Sequence, residues 1–290
     1  MPIPFLAAPL LIRYFLLNDG GQRWRRGMGF SVFCWGWLGW LSSGAIAQVP
    51  AQVPTPPVVP DQTLPSPSIV EGGDRQWQIQ GGTATGQNLF HSFERFSVPT
   101  DHTVRFVPSG DIARIIARVT GADASLIDGI LGSDGPASLF LINPNGLVLG
   151  PNAQLQLGGS FIGTTAESMV FADGTQFGIG TNGDATPLLT ATVPLGLQFG
   201  RGSGDITGTG LGPTATPGLT IAPGNTLGLI GRSLDFSGVA IAVPGGNLEL
   251  GAVTDGTVGL SGSGLGPWQL DYGAVTGFGS LGLGQGSSAV

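Results

Sequence analysis

Residues 137–157 read Ala-Ser-Leu-Phe-Leu-Ile-Asn-Pro-Asn-Gly-Leu-Val-Leu-Gly-Pro-Asn-Ala-Gln-Leu-Gln-Leu, and the way this stretch divides decides the fold. Apolar runs at 139–142, 147–149 and 155–157 are separated by two compact turn signals. In Asn143-Pro144-Asn145-Gly146 the proline fixes φ at about −65° in the second position of a turn. Asn145 and Gly146 both tolerate positive φ, so the chain can corner sharply there. Gly150-Pro151-Asn152 repeats the device. Two readings fit: an ordinary hairpin with Asn-Gly at its tip, or a chain that winds through short strands separated by corners.

Composition narrows the choice. The chain has 52 glycines and 22 prolines in 290 residues, which interrupt almost any helical window. Hydrophobic residues make up 41% and charged residues only 10%, the reverse of a disordered chain. An all-β chain with many turns is left. All the basic residues are arginine, and the formal charge is −7. Residues 1–47 carry four arginines against Asp19, so the remainder carries −10. A nucleic-acid partner needs a basic face, and this chain offers none.

The N-terminus has the three parts of a secretory signal peptide. Arg23-Trp24-Arg25-Arg26 precedes the apolar run 28–41, and Ala45-Ile46-Ala47 offers a cleavage site before Gln48. An uncleaved anchor is the alternative, but the run is short for a membrane span of about 20 residues. Cleavage between Ala47 and Gln48 removes Cys34, the only cysteine, so the mature chain has no thiol and no disulfide. Proline recurs every few residues over 48–68, which is read as an extended linker. The body is therefore placed at 69–290.

Within the body, short apolar runs alternate with Gly-Gly, Asp-Gly and Pro-Ser-Gly breakers. Residues 112–119, Ile-Ala-Arg-Ile-Ile-Ala-Arg-Val, are expected as a strand with its arginines on one side. Gly224-Asn225-Thr226-Leu227-Gly228-Leu229 returns as Gly246-Asn247-Leu248-Glu249-Leu250-Gly251, an offset of 22. A period in the low twenties suits one coil of a parallel β-solenoid. A β-sandwich has turn signals at similar spacing and is the other all-β option.

Several ordered pieces together resemble one known family. They are Asn-Leu-Phe-His-Ser-Phe-Glu-Arg-Phe at 88–96, Arg118-Val119-Thr120-Gly121, Ser125-Leu126-Ile127-Asp128-Gly129, and the Leu139 to Gly146 stretch. Further on come Gly158-Gly159-Ser160-Phe161, Phe171-Ala172-Asp173-Gly174-Thr175-Gln176-Phe177 and Val193-Pro194-Leu195-Gly196-Leu197-Gln198-Phe199-Gly200. The sequence resembles the N-terminal two-partner secretion (TPS) domain of filamentous-haemagglutinin-type proteins, in the form common in cyanobacteria. That resemblance implies an all-β, right-handed parallel β-helix of pectin-lyase-like architecture, with an N-terminal β cap and an extra-helical hairpin. It implies a secreted or cell-surface protein that reaches the periplasm through the Sec machinery and signal peptidase. It also implies an outer-membrane β-barrel transporter with POTRA domains as partner, passage unfolded, and folding outside. A host or neighbouring-cell surface ligand would be the concern of an attached passenger.

Family members usually carry two Asn-Pro-Asn motifs. The second matches Asn143, Pro144, Asn145 and Gly146, whereas the first would fall at 97–101, where this chain has Ser-Val-Pro-Thr-Asp. That departure leaves the choice of transporter open. With Asn88, Phe90 and Phe93, the motif residues form the candidate transporter-recognition set; the alternative is that the asparagines only shape a corner. Residues 268–283 look like a coil in progress, so a body truncated at its C-terminus is expected.

Enzymatic alternatives rest on carboxylates. Parallel β-helices also house polysaccharide lyases and hydrolases, for which Asp101, Asp111, Asp123, Asp128 and Asp134 would be candidates. Most stand beside Gly or Ser in turn contexts, where aspartate bonds its own backbone. His91 and His102 are too few for a zinc site, and Asp173-Gly174-Thr175 reads as a turn. No catalytic residue, cofactor or metal is expected, and the main expectation is a non-enzymatic secretion domain.

Overall fold

The computed structural model describes residues 56–179, 189–210, 218–262 and 264–289. The stretch expected as a signal peptide, with the expected cleavage site at Ala47 and Gln48, lies outside the described residues.

The stretch at 137–157 forms one complete coil. Its strands Ser138–Ile142, Leu147–Leu149 and Gln154–Gln156 lie in three different sheets, and Phe161–Thr164 then stacks in parallel on the first of them. The register pairs Leu139 with Phe161, so this coil takes 22 residues. Asn143-Pro144-Asn145-Gly146 is therefore a corner and not a hairpin tip. Parallel ladders along all three sheets also rule out the sandwich, whose strands pair antiparallel.

The first sheet stacks Asn88–Phe96, Arg114–Val119, Ser138–Ile142, Phe161–Thr164, Thr226–Gly231 and the first half of Asn247–Ser261. The second runs through Ser125–Ile127, Leu147–Leu149, Ile206–Thr209, Leu234–Ser237 and Leu281–Leu283. The third stacks Gln76–Gly81, Thr103–Phe106, Ile130–Ser133 and Gln154–Gln156. Inward side chains form continuous files: Leu89, Ile115, Leu139, Phe161 and Leu227 succeed one another at the same register position, buried in a single core. The chain is all-β, a parallel β-helix.

The edges of the first coil are covered by antiparallel strands. Thr83–Thr85 and Val58–Pro60 both pair with Asn88–Phe96, and Ser68–Gly73 covers Gln76–Gly81. This is the expected N-terminal cap, and it removes strand edges that would otherwise be open to pairing. Residues 56–68, the described part of the stretch expected as a linker, take part in this cap. Val58 is fully buried, Leu64 nearly so, and the amide of Asp61 donates to the carbonyl of Ser92. Proline is tolerated there because an edge strand needs only part of its backbone paired.

Two excursions leave the coil and form a second layer. Ser168–Phe171, Gln176–Gly178, Pro194–Phe199, the second half of Asn247–Ser261 and Gln269–Phe278 pair antiparallel. This layer packs on the outer face of the first sheet. Phe90, Ile116, Phe140, Ile162 and Ile230 point outward into it and meet Met169, Phe171, Phe177, Leu197, Phe199, Val258 and Trp268. Phe90 meets Phe177 edge-on at 5.0 Å, and Phe140 meets the Trp268 ring at 5.0 Å. The extended run at 268–283 is thus mostly outer layer, and only Leu281–Leu283 rejoins the coil. Its period-2 sequence, Gln-Leu-Asp-Tyr-Gly-Ala-Val-Thr-Gly-Phe, belongs to a strand with one face packed.

The internal repeat is real but one residue out. Thr226–Gly231 pairs with Asn247–Ser261 at an offset of 21, putting Leu227 beside Leu248 and Leu229 beside Leu250. The apparent offset of 22 would have set Leu227 beside Glu249. A slip of one residue turns every side chain to the other face, so the core selects the leucine register.

Candidate functional site

The corner at Asn143 is built from cross-coil hydrogen bonds. The Gly146 amide donates to the Asn143 carbonyl (3.1 Å), which closes a turn with Pro144 in second place. Asn143 Oδ1 accepts from the Asn145 amide at 3.0 Å and from Asn145 Nδ2 at 3.2 Å. Asn143 Nδ2 reaches back one coil, to the Asp123 carbonyl at 3.0 Å and Ser125 Oγ at 2.9 Å. Asn145 Nδ2 does the same to the Gly121 carbonyl at 2.7 Å. Toward the next coil, the Gly204 amide donates to the Pro144 carbonyl at 2.6 Å. Only Gly146 uses positive φ, at 127°, and a Cβ there would lie 3.0 Å from the Asp205 carbonyl oxygen. Asn145 keeps an ordinary φ, so its tolerance of the left-handed region goes unused.

Of the other members, Asn88 lies at the far end of the same sheet, Phe90 aligns with Ile116 and Phe140 in mid-strand, and Phe93 aligns with Val119 at the corner end two coils earlier. Asn88 aligns with Arg114 and Ser138, five positions before Asn143 along the strand direction, about 16 Å at ~3.3 Å per residue. Its Nδ2 donates to the carbonyls of Thr190 and Thr192, both at 2.8 Å, and its Oδ1 accepts from Arg114 Nε. Phe90 lies beneath the outer layer, whereas Phe93 faces the coil interior against Phe96 and Phe106. The structure therefore spreads the set along the sheet and does not gather it at one place. Of its seven residues only Asn145 is exposed in the folded chain.

Two further polar clusters emerge from the fold. Arg118, on the arginine side of the 114–119 strand, is 5% exposed beneath the outer layer. Its Nε donates to Ser92 Oγ (2.9 Å), one terminal nitrogen to the Gly178 carbonyl (2.6 Å) and the other to Thr63 Oγ1 (2.9 Å). Its guanidinium stands 4.5 Å from the Phe177 ring centroid. Asp61 accepts from Ser92, Thr63 and Thr120 hydroxyls. Burial pushes the Asp61 carboxyl up, but these bonds outweigh it and hold the group below the usual carboxylate value. Burial pushes Arg118 down from its ordinary value while the charge of Asp61 pulls it back. Second, Ser138 Oγ donates to the Gly264 carbonyl and Ser160 Oγ to the Gly266 carbonyl, both at 2.8 Å. Trp268 donates through Nε1 to Ser138 at 3.2 Å, and its backbone amide and carbonyl both bond the Thr226 hydroxyl. These clusters fasten the cap and the outer layer to the coil. The alternation of Arg114, Ile116 and Arg118 was the only sequence sign of them.

The aspartates weighed for catalysis are dispersed. Asp101 pairs with Arg75, Asp134 with Arg105, and Asp128 accepts from Thr100 and Asn152 at a corner. Asp111 and Asp123 are exposed in separate turns. Among the described residues no three His, Cys, Asp or Glu side chains gather as a metal site would require. His91 is buried against Phe93 and Phe106, with Nδ1 at 2.9 Å from Ser68 Oγ. Burial lowers its pKa to about 3, so it is a neutral packed residue. His102 bonds the Thr100 carbonyl.

The profile of the TPS secretion domain matches residues 57–288. The chain belongs to the TPS secretion domain family. The match begins beside the first described residue, inside the stretch read as linker, and spans both the coil and its outer layer. Among solved structures, the crystal structure of the HMW1 secretion domain from Haemophilus influenzae is similar in fold, with a TM-score of 0.50 and 19% identity. The alignment covers 73% of this chain and 48% of that one, so the TPS chain spans about half the length of its structural relative. No curated protein matches the sequence.

Proposed function

We propose that this TPS domain is the export module of an adhesin-like or haemagglutinin-like surface protein, and that it is not an enzyme. The observation that carries the reading is the family match across residues 57–288. In this reading the Sec machinery takes the chain to the periplasm and signal peptidase cuts between Ala47 and Gln48. An outer-membrane β-barrel transporter with POTRA domains then reads the chain and passes it out unfolded, and the β-helix closes outside. A chain whose only cysteine lies before the cleavage site crosses without disulfides to hold it folded.

The recognition set fits a reading made before folding. Asn88, Phe90, Phe93, Asn143, Pro144 and Gly146 are inaccessible in the closed body and accessible in the extended chain. Any ligand on a host or neighbouring cell would be bound by an attached passenger or by the displayed surface.

The test is the intact mass and N-terminal sequence of the polypeptide recovered from culture medium, with and without the partner transporter. A species beginning at Gln48 that disappears from the medium when the transporter is removed is expected. Retention in the cells with Met1 intact would overturn the reading.

A further inference from the structure

Seven arginines follow the cleavage site, and five have evident employment. Arg75 and Arg105 pair with aspartates, Arg95 donates to the Pro56 carbonyl, and Arg114 and Arg118 belong to buried networks. The side chains of Arg201 and Arg232 bond no protein group among the described residues, and both line one cleft of about 410 Å³. The cleft lies where the outer layer meets the coil, and its remaining walls are Gly200, Thr254 and Asp255.

Three features of this cleft specify a ligand. Its two exposed guanidinium groups stand in a chain of strongly negative charge, and guanidinium matches carboxylate, sulfate and phosphate oxygens in a two-pronged geometry. Neither neighbouring carboxylate is bonded to these guanidinium groups among the described residues: Asp255 accepts from Thr276 Oγ1 at 3.0 Å, and Glu167 from the Gly202 amide at 2.7 Å. Finally, among the described residues no apolar side chain lines the cleft, and its volume exceeds what a lone oxyanion fills. A ligand that is polar throughout, with room for a ring beside its charged group, is a sugar. Thr254 and the free oxygen of Asp255 supply partners for hydroxyl groups.

We propose that the cleft between Arg201, Arg232, Thr254 and Asp255 binds an acidic glycan, with its carboxylate or sulfate on the two arginines and its hydroxyls on Thr254 and Asp255. The site is independent of the export reading, because it belongs to the folded chain in solution.

The experiment is titration of the purified chain by calorimetry and by amide chemical shifts. The probes are digalacturonate, a sulfated disaccharide, inorganic sulfate, and maltose as neutral control. Saturable binding of one or both acidic disaccharides is expected, weakening as salt is raised. The Arg201→Gln/Arg232→Gln double variant should keep the native spectrum and bind at least tenfold more weakly. Arg95→Gln, away from the cleft, should bind as the parent does. The two acidic probes decide between carboxylate and sulfate. Absence of saturable binding by both would overturn the proposal, as would equal binding by the double variant or by maltose. Binding of inorganic sulfate without either acidic sugar would reduce the site to an ion contact and overturn the glycan assignment.

Discussion

The two strands on either side of the Asn143 corner belong to one coil and differ in what covers them. Ser138–Ile142 is buried on both faces, with Leu139 and Leu141 in the coil core and Phe140 and Ile142 under the outer layer. Leu147–Leu149 is buried on one face only: Leu147 and Leu149 point inward, while Val148 is 37% exposed. Parallel strands covered on both sides read as continuous apolar runs, and strands with one solvated side alternate. The difference between Leu-Phe-Leu-Ile and Leu-Val-Leu is therefore a record of the outer layer, which is supplied by residues far along the chain.

Mutations that probe the two regions should separate widely. Trp268→Ala removes the plug that joins Ser138, Phe140 and Thr226, and should cost about 3–5 kcal/mol in urea unfolding. Val148→Ala, on the bare face, should stay within about 0.5 kcal/mol. Equal costs would mean that the outer layer adds little to the stability of the coil.

Next in size is the network that ties the cap to the outer layer. Arg118→Met leaves Asp61 without its nearby positive charge and the Gly178 carbonyl without its donor. A loss of about 2 kcal/mol is expected. In a double-mutant cycle with Asp61→Asn the two losses should not add. Additive losses would show that the two residues act separately.

His91 gives a pH test of the cap. Its folded pKa is lowered to about 3 from an ordinary 6.5, so between these values the unfolded chain binds more protons than the folded one. Stability should therefore fall as pH drops from about 6.5, and His91→Gln should flatten that slope down to about pH 4. Below that, Asp61 contributes in the usual carboxylate direction, its stabilisation being lost as pH falls through its lowered folded pKa. An unchanged slope in His91→Gln would place the acid sensitivity elsewhere.

The winding coil was legible because the Asn143 corner carries its own chemistry, with proline in second place and glycine at the one position that needs positive φ, and the turn opened by Gly150 repeats the proline. The strand at 114–119 and the family pattern were legible in the same way. What escaped has a common physical cause. Val58 and Leu64 sit among prolines and look like linker until the edge of Asn88–Phe96 is seen to need covering. Gln269–Phe278 alternates like any half-buried strand, and nothing local says that it leaves the coil. The repeat offset was one too long because matching Gly-Asn pairs at the corner outweighed the leucines that the core aligns. Asn88 and Arg114 find their partners through contacts that span much of the chain, which spacing does not encode.

The smallest structural change should have the largest functional effect. Asn145 is exposed, and its side chain adds mainly the bonds to Gly121 and Asn143, so Asn145→Ala should cost about 1 kcal/mol or less in the folded domain. The decisive measurement is the fraction of Asn145→Ala chain that reaches the medium, taken with the unfolding midpoint of the same purified variant. If the motif is read by the transporter before folding, the variant should fold nearly as well as the parent yet accumulate in the periplasm. Normal export of a normally stable variant would contradict that account and leave Asn145 as the fastening of a β-helix corner.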